Sequence, residues 1–284
     1  MVGLVLEGGG MRSLFSEGVI DAMMESGVRF DGIIGVSAGA LFGCNMKSHQ
    51  PQRALRYNIR FMSDPRYMGF RSFITTGNFV NAQFAYHTVP LELDVFDNPT
   101  FKSDSARFHL VCTDIDSGET IVKEIQSVDD ETLEWFRATG SMPIVSTPVC
   151  LEGRRLLDGG MTDCIPLRRF QQMGYGRNVV VLTQPREYVK RPTRLTPLFR
   201  LLYPRQPQIA RCMASRHEMY NSERRYAEQQ ATLGTTLLIY PDAPLSIGRT
   251  EQDEHKMRSV YQQGYDKAMQ MMDEIKQFVN NEAR

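Results

Sequence analysis

The chain of 284 residues lacks several features on which whole classes of protein depend. Its five cysteines, at positions 44, 112, 150, 164 and 212, form no Cys-x-x-Cys pair. A scattered, odd set predicts reduced thiols rather than a disulfide framework or a zinc site. No apolar run approaches the roughly 18 residues of a membrane-spanning helix, and the first one, Val2–Leu6, is too short for a signal peptide. We therefore expect a cytoplasmic protein that contacts membranes only peripherally and transiently.

Net charge is also missing, because 33 Lys and Arg residues balance 33 Asp and Glu residues. Proteins that bind nucleic acids usually carry a basic excess or a basic stripe, so we predict no nucleic-acid partner. No Gly-Lys-Ser or Gly-Lys-Thr triplet of a nucleotide-binding P-loop occurs. We predict no cofactor and no metal.

The apolar pattern that is present alternates between strand and helix. Val2–Leu6 and residues 31–36 read as buried strands, and residues from Met11 and from Ser37 continue as helices. Strand, helix, strand and helix within about fifty residues predict an α/β fold with a parallel sheet. No repeat or linker divides the chain, so one domain over residues 1–284 is the simplest prediction.

The remainder of the chain contains further predicted elements. The segment 50–106 is aromatic-rich and irregular, and its part from Tyr57 to Tyr86 is equally compatible with an acyl channel and with ordinary core. Strands are expected at 108–113, 120–123, 154–157, 178–183 and 235–240, and helices at 131–139, 208–232 and 253–279.

A Gly-x-Ser-x-Gly pentapeptide, Gly35-Val-Ser37-Ala-Gly39, stands between the second strand and the second helix. This pattern is typical of a nucleophile elbow, in which small neighbours allow a tight turn that exposes the serine hydroxyl. The N-terminus of the following helix directs free N–H groups to the same place. The alternative is a plain strand-to-helix turn with a capping serine.

The first strand leads into a glycine loop, which includes Gly8, Gly9 and Gly10 and continues with Met11 and Arg12. Such a loop can serve as a phosphate cradle or as an oxyanion hole, and it can also simply pack a helix on a strand. The dinucleotide-binding fingerprint is incomplete, because Ser13 stands where its third glycine belongs.

A third motif, Asp158-Gly159-Gly160, follows the strand predicted at 154–157. Active sites of open α/β folds lie at the carboxyl ends of strands, but Asp-Gly turns are common. Taken alone, the motif favours a turn.

The three motifs together, in this order, resemble those of the patatin-like phospholipase family: a glycine-rich oxyanion loop, a Gly-x-Ser-x-Gly nucleophile and a later Asp-Gly-Gly. The stretch 138–143 and the pair Asp163 and Pro166 also look like family motifs. The resemblance covers residues 2 to about 185. The remaining 186–284 are expected to add helices and a strand.

This resemblance implies a three-layer sandwich with a mostly parallel central sheet and helices on both faces. It implies a serine hydrolase of lipid acyl esters, of phospholipase A, lysophospholipase or esterase type. Ser37 is then the nucleophile and Asp158 the base, and the implied oxyanion hole consists of Gly8, Gly9, Gly10, Met11, Arg12 and Ala38. Gly35, Gly39, Gly159 and Gly160 support the motifs.

Two residues depart from the family pattern, Ser13 for glycine and Cys164 for asparagine, and both bear on efficiency rather than on the reacting groups. Two other functions stay open. One is a Ser-Asp-His triad esterase that uses His217 or His255 as the base. The other is a non-catalytic protein whose glycine loop binds an anion or an acyl group.

Overall fold

The structure, a computed structural model, describes residues 1–280 and is built around one mixed sheet. Apolar residues dominate its central strands, as expected for strands that are covered on both faces. The strands are β1 (Val2–Leu6), β2 (Gly32–Val36), β3 (Arg107–Asp114), β4 (Thr120–Ile125), β5 (Val149–Leu151), β6 (Arg154–Asp158), β7 (Arg177–Val181) and β8 (Thr236–Ile239).

Five strands run parallel in the spatial order β3, β2, β1, β7 and β8. The antiparallel strands β4 and β6 both pair with β3, and β5 pairs with β6. Side chains of β1 alternate between two cores: Leu4 and Leu6 join one cluster and Val5 joins the other. The sheet is therefore packed on both faces, and the predicted α/β architecture is confirmed.

Helices cover the two faces. The cluster with Leu4 and Leu6 includes side chains of the first, second and tenth helices, and the cluster with Val5 includes those of the seventh and ninth. In chain order the helices are α1 (Leu14–Glu25), α2 (Ala38–Lys47), α3 (Arg53–Phe61), α4 (Phe70–Thr76), α5 (Asn98–Ser103), α6 (Asp130–Gly140), α7 (Leu167–Gln172), α8 (Thr196–Leu202), α9 (Pro207–Thr232), α10 (Glu254–Gln270) and α11 (Met272–Asn280).

Three short segments have other helical geometry. Gly10–Ser13 and Gly159–Met161 are 3₁₀ turns, and Phe84–Leu93 is a π-helical segment. Both 3₁₀ turns fall on motifs singled out in the sequence. The first turn begins inside the glycine loop, at Gly10, and the second directly follows Asp158.

The strands β2 and β6 meet along one edge of β3. Val111 of β3 pairs with Val36 of β2, and the next residue, Cys112, pairs with Asp158 of β6. Both Val111 and Cys112 also pair with β4, so β4 occupies the other edge. Because β2 and β6 run in opposite directions, their carboxyl ends approach each other there. The residues that end these strands are those of the second and third motifs.

Two expectations were wrong in detail. Residues 50–106 are not irregular, because they contain α3, α4, the π-helical segment and α5. The helix expected over 253–279 is divided at Met271, between α10 and α11. The strand β5 was not expected at all.

Candidate active site

Ser37 occupies the turn between β2 and α2 with a strained backbone, at φ 56° and ψ −133°. Positive φ is uncommon for a residue with a side chain and persists only where its surroundings enforce it. The surroundings are tight here, since a Cβ on Gly39 would lie 2.6 Å from the carbonyl oxygens of Leu6 and Glu7. The turn has the geometry that the nucleophile-elbow interpretation requires.

A threonine links the elbow to the centre of the sheet. The backbone N–H of Ser37 donates to Oγ1 of Thr139 at 3.0 Å, and the Thr139 hydroxyl donates to the carbonyl of Val111 at 2.6 Å. Thr139 is fully buried near the end of α6. It therefore fixes the turn against the strand that also pairs with Asp158. The Ser37 N–H is engaged in this link and is not free to bind an oxyanion.

Asp158 is held by its backbone and by one of its two carboxylate oxygens. Its N–H donates to the carbonyl of Ser141 at 2.8 Å, and its Oδ1 accepts the N–H of Gly160 at 2.7 Å. Its Oδ2 is buried and has no hydrogen-bond partner among residues 1–280. One oxygen is thus fixed and the other is free to accept a proton.

Burial raises the pKa of the Asp158 carboxyl above its usual value, since only 1% of the residue is exposed. Four neighbours oppose this rise by favouring the charged form: the Ser37 hydroxyl, the Arg216 charge, the Gly160 N–H and the Arg249 charge. Ser37 and Asp158 line the same cavity. A carboxylate with a raised pKa is a stronger base than an exposed one.

The glycine loop presents several unoccupied N–H groups. In the described part of the chain, no hydrogen bond engages the backbone N–H of Gly8, Gly9, Gly10 or Ala38. The N–H of Met11 differs, because it donates to the carbonyl of Arg249 at 3.2 Å. In this arrangement Met11 is not available as an oxyanion donor.

Arg12 lies at the wall of the same cavity. Its Nε is buried and lacks a hydrogen-bond partner among the residues that the structure describes. A buried guanidinium N–H without an acceptor is costly, so this side chain is suited to a ligand oxygen.

The third motif is supported by the residue that departs from the family pattern. The thiol of Cys164 donates to the carbonyl of Gly160 at 3.1 Å, and the Cys164 N–H donates to Glu223 at 3.0 Å. Gly159 packs against the carbonyl of Val111 with no room for a Cβ, which would lie 2.2 Å away. Cys164 therefore holds the loop after Asp158. Ser13 is buried with no partner for its hydroxyl in the described chain.

A cavity of about 730 Å³ opens beside Ser37 and has two kinds of wall. One wall is polar and consists of Ser37, Asp158, the glycine loop and several basic side chains. The other is apolar, with Leu41, Phe42, Tyr57, Tyr67, Met68, Phe79, Tyr86, Val89, Phe96, Leu133 and Phe136.

The aromatic segment from Tyr57 to Tyr86 contributes side chains both to the cavity wall and to the core. Tyr57 and Tyr67 line the cavity and are also part of the main core cluster. Phe61 packs only inside the core, whereas Phe70 is 73% exposed. An apolar wall of this size next to a serine can accommodate an acyl chain.

The histidines offer no partner to Asp158. His217 lies at the cavity wall, where its Nδ1 bonds to the carbonyl of Ala214 at 3.0 Å. His255 lies in the first turn of α10, away from the cavity. Across residues 1–280 no histidine is hydrogen-bonded to Ser37 or Asp158.

Three functional candidates escaped sequence analysis because they lie beyond residue 185. Arg216 of α9 donates its Nε to the carbonyl of Gly160, while Lys190 and Arg249 reach the cavity from two loops. No motif or spacing marks them. Their proximity to Ser37 depends on how α9 and the loop before α10 pack against the sheet.

Fold and site together define the chain as an α/β protein that presents a nucleophile-elbow serine beside a buried carboxylate. The family model for patatin-like phospholipases matches residues 4–170, more than half of the chain. The protein belongs to the patatin-like phospholipase family, as the sequence motifs predicted. Residues 206–280 match a second model, described as a domain of unknown function (DUF6363).

The chain is also similar to several known proteins. The uncharacterized protein YjjU of Escherichia coli (strain K12) is 27% identical over 255 residues, which cover 86% of this chain and 69% of that protein. Lysophospholipase NTE1 of Chaetomium globosum is 31% identical over 189 residues, which cover 61% of this chain but only 11% of NTE1. VipD from Legionella pneumophila, a solved structure, shares 12% identity at a TM-score of 0.46, over 96% of this chain and 66% of VipD.

Proposed function

We propose that this protein is a serine hydrolase that cleaves acyl esters of lipids, with Ser37 as nucleophile and Asp158 as general base. The observation that carries the proposal is the meeting of β2 and β6 along β3. Val36, the residue before Ser37, pairs with Val111, and Asp158 pairs with the next residue of β3. Family membership and the lysophospholipase relatives support lipid esters as the substrate class.

In the first half of the reaction, Oδ2 of Asp158 accepts the proton of the Ser37 hydroxyl while Oγ attacks the ester carbonyl. The negative charge that develops on the carbonyl oxygen is stabilised by the free N–H groups of Gly9, Gly10 and Ala38. Arg12 adds a positive charge to the same wall. The tetrahedral intermediate collapses, the alcohol leaves with the proton from Asp158, and the acyl group stays on Ser37.

In the second half, a water molecule gives its proton to Asp158 and attacks the acyl-enzyme. Collapse of the second intermediate releases the fatty acid, and Oγ of Ser37 takes the proton back. The apolar wall binds the acyl chain in both halves. The glycine loop serves both oxyanions, because each forms at the same carbonyl carbon.

We also propose peripheral contact with anionic membranes, through the surface around α8. Its leucines are unusually exposed: Leu195 by 50%, Leu201 by 76% and Leu202 by 49%. Six basic residues and one acidic residue lie in residues 186–205, a net charge of +5 in a chain whose total is zero. Leu195 also lines the cavity, so a lipid surface on α8 would adjoin its entrance. Within residues 1–280 no helix has the length and apolar character needed to cross a bilayer.

The catalytic proposal is tested by measuring kcat/KM on acyl esters of graded chain length. Ser37→Ala should lower kcat/KM by about a thousandfold or more, because the nucleophile is lost, while its circular dichroism spectrum stays native. Ser146→Ala is the matched control: Ser146 lies at the same cavity, and its loss should change kcat/KM less than about tenfold. Hydrolysis that does not depend on Ser37 would contradict the assignment and favour an anion- or acyl-binding protein.

A further inference from the structure

Four basic side chains converge on the polar wall of the cavity: Arg12, Lys190, Arg216 and Arg249. In the described part of the chain, none of them forms an ion pair with an acidic residue. Arg53 at the same cavity differs, because it is buried and its Nε lies 3.2 Å from Oδ1 of Asp94. Of the four unpaired cations, Arg249 is exposed and the other three are half-buried.

The contacts of Arg249, Arg216 and Lys190 show where these side chains lie around the cavity. A Cβ on Gly10 would lie 3.2 Å from the Cβ of Arg249, so Arg249 packs directly on the loop that carries Arg12. The Nη2 of Arg216 lies 3.2 Å from the position that a Cβ on Gly160 would occupy. The Nζ of Lys190 stands 4.4 Å above the ring of Tyr220, which is one helical turn after Arg216.

Burial and the neighbouring positive charges act on the pKa values of two of the four side chains. Burial, followed by the charges of Arg12 and Arg216, lowers the pKa of Arg249. Burial, followed by the charge of Arg216, lowers the pKa of Lys190 to about 8. Burial acts against the charge of Arg216, yet acidic neighbours that include Asp158 raise its pKa. Repulsion therefore acts on Lys190 and Arg249, and an anion bound beside them would relieve it.

The charges on the wall indicate what kind of anion fits. Only two acidic side chains line this cavity, Glu7 and Asp158. Glu7 is 3% exposed and already accepts the N–H of Thr183 at 2.7 Å, and Asp158 is assigned to proton transfer. With Arg53 paired to Asp94, these four cations and the exposed Arg191, which also lines the cavity, face two carboxylates. This leaves an excess of three positive charges. A phosphate monoester carries between one and two negative charges near neutral pH and suits arginine forks.

We propose that Arg12, Lys190, Arg216 and Arg249 form a binding site for a phosphate monoester on the alcohol half of the substrate, beside the ester that Ser37 attacks. This inference rests on the proposed hydrolase function, because it states which part of the cavity binds the alcohol half of the ester that Ser37 cleaves. The preferred substrate is then an acyl ester with an uncapped phosphate. An ester with no phosphate, or one whose phosphate carries a choline, binds less tightly.

The test measures equilibrium binding to Ser37→Ala protein, which cannot turn the ligands over. Lysophosphatidic acid with a lauroyl chain should bind about tenfold or more tightly than monolauroylglycerol or lauroyl lysophosphatidylcholine. Lys190→Gln and Arg249→Gln should each reduce this preference about tenfold. Arg225→Gln, an exposed change on α9 with no ion pair in the described chain, should leave it unaltered. Melting curves check that each variant is folded.

Equal binding of the three lipids, or a preference that survives both cavity variants, would overturn the inference. Inorganic phosphate is a further arm: if it binds as tightly as lysophosphatidic acid, the site holds a free anion and the assignment to a lipid head group is wrong. Hydrolysis by wild-type protein separates this result from the proposed function. Ser37-dependent hydrolysis without phosphate preference defeats only the inference, whereas preferred binding without any hydrolysis defeats only the hydrolase assignment.

Discussion

Asp158 has one carboxylate oxygen that is fixed by the N–H of Gly160 and one that is unoccupied. This division suits a base that must keep its orientation while it gains and loses a proton. A fixed oxygen restricts rotation of the carboxylate, and the second oxygen has no competing hydrogen-bond partner in the described chain. The same residue would be a poor base on the surface, since an exposed aspartate has a much lower pKa.

The pKa of Asp158 leads to a pH prediction. Its carboxyl must be ionised to accept the serine proton, so kcat/KM falls as the pH falls through its pKa. Because burial raises that pKa, the fall should begin above pH 3.8, the usual pKa of an exposed aspartate. The measurement is kcat/KM against pH on an uncharged ester, with Ser37→Ala as the background rate. Activity that stayed constant down to about pH 3.8 would contradict the role of Asp158.

Whether a single site residue could be predicted from the sequence depends on whether a local motif marks it. Ser37 lies in a short motif that is typical of a nucleophile elbow, so it stands out without a structure. Asp158 lies in a common type of turn, and it stands out only because the three ordered motifs resemble those of the family. Arg216 and Arg249 belong to no motif, and only the packing of distant segments brings them to the cavity. The link through Thr139 is likewise invisible, because it joins residues 102 positions apart.

The helices α1 and α10 pack so closely that their backbones touch. A Cβ on Gly18 would lie 2.0 Å from the carbonyl oxygen of Tyr261, and one on Gly264 would lie 1.9 Å from that of Phe15. The two backbones therefore touch through glycines, with Tyr261 also donating to Asp21 at 2.8 Å. The helix α10 lies within the second family match, whereas α1 belongs to the first.

This contact predicts that Gly264→Ala destabilises the whole protein. The added methyl group has no room, so the free energy of unfolding should fall by about 2 kcal/mol or more. Gly176→Ala is the matched control, because nothing lies within 4 Å of a Cβ there, and its effect should stay within about 0.5 kcal/mol. Denaturant unfolding measures both changes. An unaltered stability of Gly264→Ala would contradict the close contact.

The sequence identified most strands and the long helices correctly because their apolar periodicity is strong. It missed the helices between residues 50 and 106, where buried charges obscure the pattern. Arg53 reads as a surface residue of α3, yet it is buried because Asp94 pairs with it from a distant position. Such pairing depends on tertiary structure, and no local pattern reports it.

Considered as a whole molecule, the chain is proposed to be one domain rather than a hydrolase with an appended module. β8 extends the central sheet beside β7, and α9 and α10 pack on opposite faces of that sheet. The polar wall of the cavity contains residues from both family matches, Arg12 from the first and Arg216 from the second. A single cooperative unfolding transition is the expected behaviour, and separate melting of residues 206–280 would contradict it.

The surface around α8 predicts salt-sensitive binding to anionic vesicles. Flotation with vesicles that contain phosphatidylserine should recover the protein at low salt and little of it at high salt, because exposed charges are screened. Leu201→Ser should weaken recovery roughly tenfold, since an exposed leucine would no longer enter the bilayer. Leu233→Ser is the control, because Leu233 is 70% exposed but lies at the end of α9. Equal losses in both variants would contradict the assignment of this surface.

The most direct test of the Ser37 and Asp158 assignment is the rate of covalent labelling by a fluorophosphonate, with the labelled residue mapped by peptide mass spectrometry. The account predicts that the label lies on Ser37 and that Asp158→Asn, which keeps the shape but cannot accept the proton, slows labelling by about a thousandfold. His217→Ala, which changes the histidine at the cavity wall, should alter the rate less than about tenfold. A label on another residue, or a folded His217→Ala protein that labels as slowly as Asp158→Asn, would contradict the account.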